Sequence, residues 1–421
     1  MKTLVCTVGG SYQPIVTGIL ATKPDFVLFV CSEDDLDTGR PGSYEQITKK
    51  GVFLKSNFND EKPSKPNIPS QLGMSDDSFE ILRVYSDDLD DAYSKIFQNV
   101  RTLVERGDEV LVDYTGGTKS MSAALCLAAL DFESVNLQLV TGMRADLNKV
   151  SDGTQQAVQA SIGRTRFRMK LRQALSSWEV FAYDDTILQL AKQSPVHRDD
   201  RADLSAVKNL SRAFSAWDRF EHKEALSIIE SYVKRFGEQL IPYLTQLRHI
   251  NSESPRRVPV QLFDLWLNAK RRAEQRRYDD ATSRAYRLME WSAQWLLQSQ
   301  VGIDTSDIQE DQIPEGMEIP VTSKGVRQTA LLGSWQLASR TCNDDVQAYW
   351  QENELRMKDL LSIRNHSILA HGFEPITEAE WTRIFNFIED GLIPLLIQQA
   401  QKQRIKLDKV QLPRELVGLL K

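Results

Sequence analysis

A change in hydrophobic period near residue 160 is the feature of this sequence that most constrains its fold. Before that point, short runs rich in Val, Leu and Phe alternate with segments whose apolar residues recur at helical spacing. Such alternation predicts right-handed crossovers and a mainly parallel sheet of buried strands. The predicted strands are Thr3–Val8, Phe26–Cys31, Ile81–Tyr85, Glu109–Tyr114 and Asn136–Thr141. The predicted helices are Gln13–Ala21, Tyr44–Lys50, Leu89–Arg106 and Ser120–Leu130, with a surface loop at Phe58–Asp77.

Beyond Ser161 strand signals become scarce, and apolar residues recur at helical spacing to the end of the chain. The fold class is therefore predicted to be α/β plus all-α, with a Rossmann-like parallel sheet followed by a helical domain. We expect a sensing domain at 1–155, a helical connector at 156–255 and a second helical domain at 256–421. The later helices are predicted at Phe167–Ala191, Leu204–Phe220, Lys223–Leu247, Leu262–Leu297, Gln328–Arg340, Val346–Ala370 and Glu378–Gln403.

Composition argues against several classes of protein. No apolar run reaches the roughly 18 residues of a membrane span, and the first apolar run is too short for a secretion signal. The four cysteines are dispersed without a CxxC pair, which indicates reduced thiols in a cytoplasmic protein and no zinc site. The net charge of −6 argues against binding to long duplex nucleic acid. One local basic cluster is interpreted as a solvated helix face; it comprises Lys270, Arg271, Arg272, Arg276, Arg277, Arg284 and Arg287.

Three glycine-containing loops follow predicted strands, at Thr7–Pro14, Thr115–Ser120 and Thr141–Arg144. In open α/β sheets, ligands bind at the carboxyl ends of the strands, where glycines let backbone N–H groups approach a phosphate. Neither GxGxxG nor GxxxxGK[ST] occurs here, which argues against a dehydrogenase or a P-loop ATPase. Tight turns are the alternative explanation of such glycine pairs. The first half of the chain is acidic, but Lys119 and Arg144 supply positive charge at the loops. An anionic ligand is therefore expected there.

The run Asp113-Tyr114-Thr115-Gly116-Gly117-Thr118-Lys119-Ser120-Met121, together with Val8-Gly9-Gly10-Ser11, resembles the CARF domain, the CRISPR-associated Rossmann fold. The resemblance covers about the first 150 residues. It implies a homodimer whose paired loops bind a cyclic oligoadenylate, of four or six adenylates, as an activator. The ligand-binding residues that it implies are Gly9, Gly10, Ser11, Gln13, Ser32, Thr115, Gly116, Gly117, Thr118, Lys119 and Arg144. Some members slowly cleave their own activator, and Ser11 and Lys119 would be the residues to test for that activity.

The segment Leu360–Gly372 is predicted to be the end of a helix closed by its glycine. Arg364 and His371, seven residues apart, would then lie on one helix face, with His366 pointing away from them. A histidine can take the proton from an RNA 2′-OH, while an arginine stabilises the phosphorane that forms. The alternative is structural, with His371 interacting with the helix dipole and Arg364 in a surface ion pair.

This segment also resembles the HEPN ribonuclease motif, in which an arginine is followed by a polar residue and, after four to six intervening positions, by a histidine. Arg364, Asn365 and His371 match the motif and would be the catalytic residues. The resemblance implies a metal-independent endoribonuclease that cuts single-stranded RNA in a groove shared by two protomers. CARF-like and HEPN-like segments in this order resemble the ancillary ribonucleases of type III CRISPR antiviral defence. A non-catalytic sensor of cyclic oligoadenylate, whose helical domain binds RNA or a protein, is the alternative function.

Overall fold

The computed structural model describes residues 1–37, 39–49, 65–142, 144–146, 149–150, 154–369 and 372–415. The chain divides into two compact units, Met1–Phe167 and Arg168–Lys421. No helix in the described ranges is long and apolar enough to cross a membrane.

The first unit is built around a six-stranded sheet of order β3-β2-β1-β4-β5-β8. Its first five strands in space are parallel, and β8 pairs antiparallel with β5. The strands are β1 (Lys2–Val8), β2 (Phe26–Ser32), β3 (Phe79–Val84), β4 (Glu109–Asp113), β5 (Asn136–Thr141), β6 (Arg144–Asp146), β7 (Lys149–Val150) and β8 (Gln156–Ala160). The helices are α1 (Gln13–Thr22), α2 (Glu45–Thr48), α3 (Ile68–Leu72), α4 (Leu89–Glu105) and α5 (Lys119–Leu130).

Helices cover both faces of this sheet, which is why its central strands are apolar at nearly every position. Val5 of β1 packs with α4 and α5 on one face. Its neighbours Leu4 and Cys6 pack with α1 on the other face. The five strands and four helices predicted for this half are confirmed, with their ends within about two residues of the predicted ones.

Four elements of this unit were not predicted: α3, β8 and the paired strands β6 and β7. The short helix α3 lies inside the predicted loop Phe58–Asp77, and the Asn67 side chain caps its N-terminus. Strand β8 extends the sheet beyond the predicted boundary at residue 155, because Leu137 to Thr141 of β5 pair with it along their whole length. The separate connector at 156–255 stays a prediction.

The second unit is helical. Its helices are α6 (Gly163–Leu175, which begins before the unit boundary), α7 (Tyr183–Gln189), α8 (Arg198–Asp218), α9 (His222–Phe236), α10 (Ile241–Ile250), α11 (Arg257–Glu274), α12 (Tyr278–Val301), α13 (Leu331–Thr341), α14 (Asp344–His366), α15 (Glu378–Phe387) and α16 (Ile393–Lys402). Its largest core lies among α11 to α16 and includes the fully buried Trp335. Three predicted long helices are each broken in two, and in the first of them Phe181 has φ +59° between α6 and α7. Gly237 has φ +53° between α9 and α10, and Arg276 has φ +58° between α11 and α12.

The basic cluster at Lys270–Arg287 is only in part a solvated helix face: Arg276, Arg277 and Arg287 are exposed, whereas three other arginines are engaged inside the domain. The Arg271 side chain is fully buried, and its Nε donates to Asp218 Oδ1 at 2.8 Å. Arg272 pairs with the same carboxylate, and Arg284 donates to Asn268 Oδ1 at 2.5 Å. Amphipathic spacing alone could not reveal this, since the buried acid comes from α8, about 50 residues earlier.

Candidate functional site

The two predicted nucleotide loops lie against each other at the carboxyl ends of β1 and β4. Thr7 Oγ1 donates to the carbonyl oxygen of Gly116 at 2.7 Å, across the two strands. A Cβ atom added to Gly9 would stand only 2.6 Å from the Gly117 nitrogen. Gly117 itself has φ +79°, which disfavours any residue with a side chain. The glycines therefore allow two backbone segments to touch, as a tight anion-binding edge requires.

The hydroxyls of Thr115 and Thr118 are engaged within the protein. Thr115 Oγ1 donates to Asp113 Oδ1 at 2.5 Å and accepts from the Val140 N–H at 2.7 Å. Thr118 Oγ1 accepts from the Met121 N–H as the N-cap of α5, and it donates to the Ser86 carbonyl. Burial raises the pKa of Asp113, and its hydrogen bonds with Thr115 oppose that shift. These side chains shape the loop, which leaves its backbone N–H groups as candidate ligand contacts.

Other predicted residues of this site face solvent. Gly10 and Lys119 are exposed, and Lys119 makes no ion pair within the described part of the chain. Ser11 and Gln13 are partly exposed where α1 begins, and α5 begins at Lys119. Two helix N-termini therefore lie beside the loops, each with the partial positive charge that favours an anion.

Ser32, at the end of β2, is tied to the following loop. Its N–H donates to Ser43 Oγ at 2.8 Å, and the Ser43 N–H donates to Ser32 Oγ at 2.9 Å. The side chain of Arg144 lies outside the described residues. Gln46 was missed by the sequence interpretation. Its Nε2 donates to the Gly9 carbonyl, and its buried Oε1 has no partner among the described atoms. No strand precedes Gln46 directly, so no sequence signal marked it.

The candidate nuclease residues lie at the end of α14, and the prediction of a helix continuing to Gly372 is wrong. α14 ends at His366, and Ser367 is extended with ψ 157°. The chain then turns back, so that the Gly372 N–H donates to the Ser367 carbonyl at 3.2 Å and Glu374 N–H to the His366 carbonyl at 3.3 Å. A Cβ on Gly372 would meet the His366 backbone. The glycine therefore permits a close return of the chain and does not close a helix.

Arg364 and Asn365 occupy the last turn of α14. Arg364 Nη1 and Asn365 Oδ1 are 3.4 Å apart, a weak hydrogen bond. His366 Nδ1 lies 2.7 Å from the Ser362 carbonyl, so this ring is held against its own helix. His371 lies outside the described residues. Because α14 ends at His366, a shared helix face is no longer the reason to pair Arg364 with His371.

The segment that follows Arg364 in sequence carries exposed apolar side chains. Ile368 and Leu369 are 55% and 53% exposed, and Phe373 is 90% exposed. Three large apolar side chains within six residues exceed what isolated surface residues explain, and they mark a contact surface. No group of three His, Cys, Asp or Glu side chains in the described ranges could hold a metal ion.

One family model and several solved structures are similar to this chain. A family model described as the Csm6 HEPN domain matches residues 250–393. The structure of Enterococcus italicus Csm6 bound to cyclic hexa-2′-fluoro-hexa-dAMP is similar, with 12% identity, a TM-score of 0.50 and 94% of each chain covered. The predicted fold class, a Rossmann-like and mainly parallel sheet followed by a helical domain, is confirmed.

Two further solved structures match more weakly. Can2 from Sulfobacillus thermosulfidooxidans in complex with cyclic tetra-adenylate has 12% identity over 60% of this chain and 69% of its own, with a TM-score of 0.25. A type III CRISPR defence DNA nuclease activated by cyclic oligoadenylate has 15% identity over 62% of this chain and 33% of its own, also with a TM-score of 0.25. No curated protein matches the chain at a significant level. Because their TM-scores are only 0.25, the two partial structural matches are not evidence for the fold.

Proposed function

We propose that this chain is a CARF–HEPN protein, a metal-independent endoribonuclease activated by a cyclic oligoadenylate in type III CRISPR antiviral defence. The observation that carries the proposal is the match of residues 250–393 to the Csm6 HEPN domain, because it spans Arg364, Asn365 and His371. The four cysteines of the chain lie far apart in sequence, as expected for thiols that stay reduced in the cytoplasm.

The proposed activator site is the edge formed by the Gly9 and Gly117 loops. Backbone N–H groups, the start of α5 and the exposed Lys119 would bind phosphates there. Csm6 from Enterococcus italicus, which shares the fold, is bound to a cyclic hexameric analogue. A ring of repeated adenylates has rotational symmetry, so two copies of this edge in a homodimer would bind one ring. We propose a cyclic tetra- or hexa-adenylate, with Gln46 holding the Gly9 loop in place.

The proposed reaction is cleavage within single-stranded RNA by its own 2′-OH. His371 removes the 2′-OH proton, the 2′ oxygen forms a bond to phosphorus, and the bond from phosphorus to the 5′ oxygen breaks. The products are a 2′,3′-cyclic phosphate and a 5′-OH, the latter receiving a proton from a second histidine or from water. Arg364 stabilises the charge that develops on the phosphorane, and Asn365 orients the phosphate.

We propose that two protomers complete the nuclease groove. The exposed Ile368, Leu369 and Phe373 lie within nine residues of Arg364 and supply an apolar surface for a second copy. Burying them in a homodimer would bring two copies of the motif together. Binding of the activator by both CARF domains would then adjust the alignment of the two motifs, which is the proposed basis of activation.

The test measures cleavage of a labelled single-stranded RNA with and without cyclic tetra- or hexa-adenylate, in the presence of EDTA. Arg364→Ala and His371→Ala should each abolish cleavage while activator affinity is unchanged. Arg340→Ala, an exposed arginine of the same domain, is the matched control and should cut normally. Full activity of Arg364→Ala would refute the site.

Two other results would change the proposal. Tight activator binding by the wild type without RNA cleavage would identify a non-catalytic sensor. Loss of the activator on long incubation would reveal a second activity in the CARF domain, and Lys119→Ala and Ser11→Ala would then test its residues.

A further inference from the structure

Helix α12 carries a row of polar side chains that begins at a contact with the segment following the HEPN motif. Asp279, Thr282 and Tyr286 are spaced by three and four residues and therefore lie on one side of the helix. At one end of the row, Asp279 Oδ2 accepts a hydrogen bond from the Ile376 N–H at 3.2 Å, just beyond the motif. At the other end, Tyr286 belongs to the same apolar core as Ile363, the residue that precedes Arg364.

Each member of this row has a buried polar atom with no hydrogen-bond partner among the described residues. These atoms are Asp279 Oδ1, Thr282 Oγ1 and the Tyr286 hydroxyl. Tyr286 is only 7% exposed and Thr282 only 1%. Native proteins satisfy nearly all buried polar groups, because a missing hydrogen bond leaves the cost of desolvation uncompensated. Three such atoms along one helix face indicate that a partner arrives in another arrangement.

Arg364 is a candidate partner of Tyr286, because it is the cation whose charge acts on the Tyr286 hydroxyl. Burial raises the pKa of the Tyr286 hydroxyl, and the positive charge of Arg364 opposes that shift, so the two groups lie within electrostatic reach. Arg364 has one weak hydrogen bond within the described part of the chain, to Asn365 at 3.4 Å. A guanidinium only donates hydrogen bonds, whereas a tyrosine hydroxyl can accept one. A hydrogen bond between them would therefore satisfy both groups.

We infer that Tyr286 is a positioning residue for Arg364, whose guanidinium donates a hydrogen bond to the Tyr286 hydroxyl in the arrangement that cuts RNA. This inference rests on the proposed ribonuclease function. The hydrogen bond would hold the guanidinium beside the scissile phosphate. A charged hydrogen bond in a buried setting is stronger than a neutral one, and it would be formed only in the active arrangement. Tyr286 would thus act through Arg364 without touching RNA.

The test compares Tyr286→Phe with Tyr349→Phe. Tyr349 is a matched control because its hydroxyl is also buried without a described partner, in the same core. It lies 15 residues before Arg364 on α14, roughly 22 Å away along the helix axis. Tyr286→Phe should lower activator-dependent RNA cleavage about 10-fold or more, and Tyr349→Phe should leave it unchanged. Neither variant should lower the Tm, since each removes only an unpaired hydroxyl.

A double-mutant cycle with Arg364→Lys decides whether Tyr286 acts through Arg364. The readouts are the single-turnover cleavage rate and the Kd for a 2′-O-methyl RNA, which cannot be cut. In the wild type, Tyr286→Phe should lower the cleavage rate and raise the Kd. In the Arg364→Lys background it should change neither of them much further. Equal losses in both backgrounds, or a Tyr286→Phe variant that matches Tyr349→Phe, would overturn the inference. Full activity of Arg364→Lys and Arg364→Ala would instead refute the proposed nuclease site, and a wild-type protein that cuts no RNA would refute the proposed function.

Discussion

Gly9→Ala is the perturbation that most directly tests the architecture of the activator site. The added methyl group would stand 2.6 Å from the Gly117 nitrogen, 3.1 Å from its Cα and 3.3 Å from its carbonyl oxygen. All three atoms belong to the backbone, so no side-chain rotation can relieve the clash. Ordinary van der Waals contact begins at about 3.4 Å, so the two loops must separate by about 0.8 Å.

This displacement sets the expected magnitude. Overpacking of this kind costs about 1–3 kcal/mol of folding free energy. A shift of nearly 1 Å also moves the N–H groups of both loops away from any bound phosphate. We therefore expect the Kd for the cyclic oligoadenylate to rise at least about 10-fold, which corresponds to about 1.4 kcal/mol of binding free energy. Urea unfolding and isothermal titration calorimetry measure the two effects separately.

Gly10→Ala is the matched control. A Cβ on Gly10 meets no atom within 4 Å, and its φ is not positive. Its unfolding free energy should stay within about 0.5 kcal/mol of the wild type. A loss of activator affinity in Gly10→Ala at unchanged stability would mean that the ligand itself occupies the open space beside this residue. The reasoning is refuted if Gly9→Ala folds and binds the activator as well as the wild type does.

Two more predictions concern buried charges. Asp218→Ala removes the carboxylate that pairs with the fully buried Arg271, so the free energy of unfolding should fall by about 3–5 kcal/mol. Arg212→Ala removes a surface ion pair and should lower the free energy of unfolding by less than about 1 kcal/mol. Equal losses for the two variants in urea unfolding would contradict this. A hydrogen bond from Arg106 lowers the pKa of Asp108, so its stabilisation is present above about pH 3.8 and is lost as the pH falls further. Asp108→Asn should therefore unfold more easily than the wild type at neutral pH, and that difference should shrink as the pH falls below about 3.8. A difference independent of pH would count against this account.

Local sequence was sufficient for the central strands of the sheet. β1 and β2 are buried on both faces, so each is a continuous apolar run that needs no knowledge of its partners. β8 was missed for the opposite reason. It is an edge strand of sequence Gln-Ala-Val-Gln-Ala with few buried residues, and only its pairing with β5 makes it a strand.

Distant contacts explain the other differences. The end of α14 was placed at Gly372 because a glycine often closes a helix. The helix instead ends at His366, where the returning chain supplies hydrogen bonds from Gly372 and Glu374. Likewise, Thr115 and Thr118 are polar residues in a glycine-rich loop, which suggested ligand contacts for their side chains. The engagement of Thr115 with Asp113 and Val140 depends on how β4 and β5 pair in the folded sheet.

The two candidate sites depend on different parts of the chain, and this decides which substitutions can test them. The activator edge is formed by backbone atoms, since Gly9 and Gly117 touch and the nearby threonines serve the loop itself. Removing one side chain there leaves most N–H groups in place, so a methyl group added at Gly9 is more informative than an alanine at Thr115. The proposed nuclease site depends on side-chain functional groups, of which those of Arg364, Asn365 and Tyr286 are described. Isosteric changes such as Tyr286→Phe are therefore the informative ones, because they remove a hydrogen bond while leaving the packing of α12 intact.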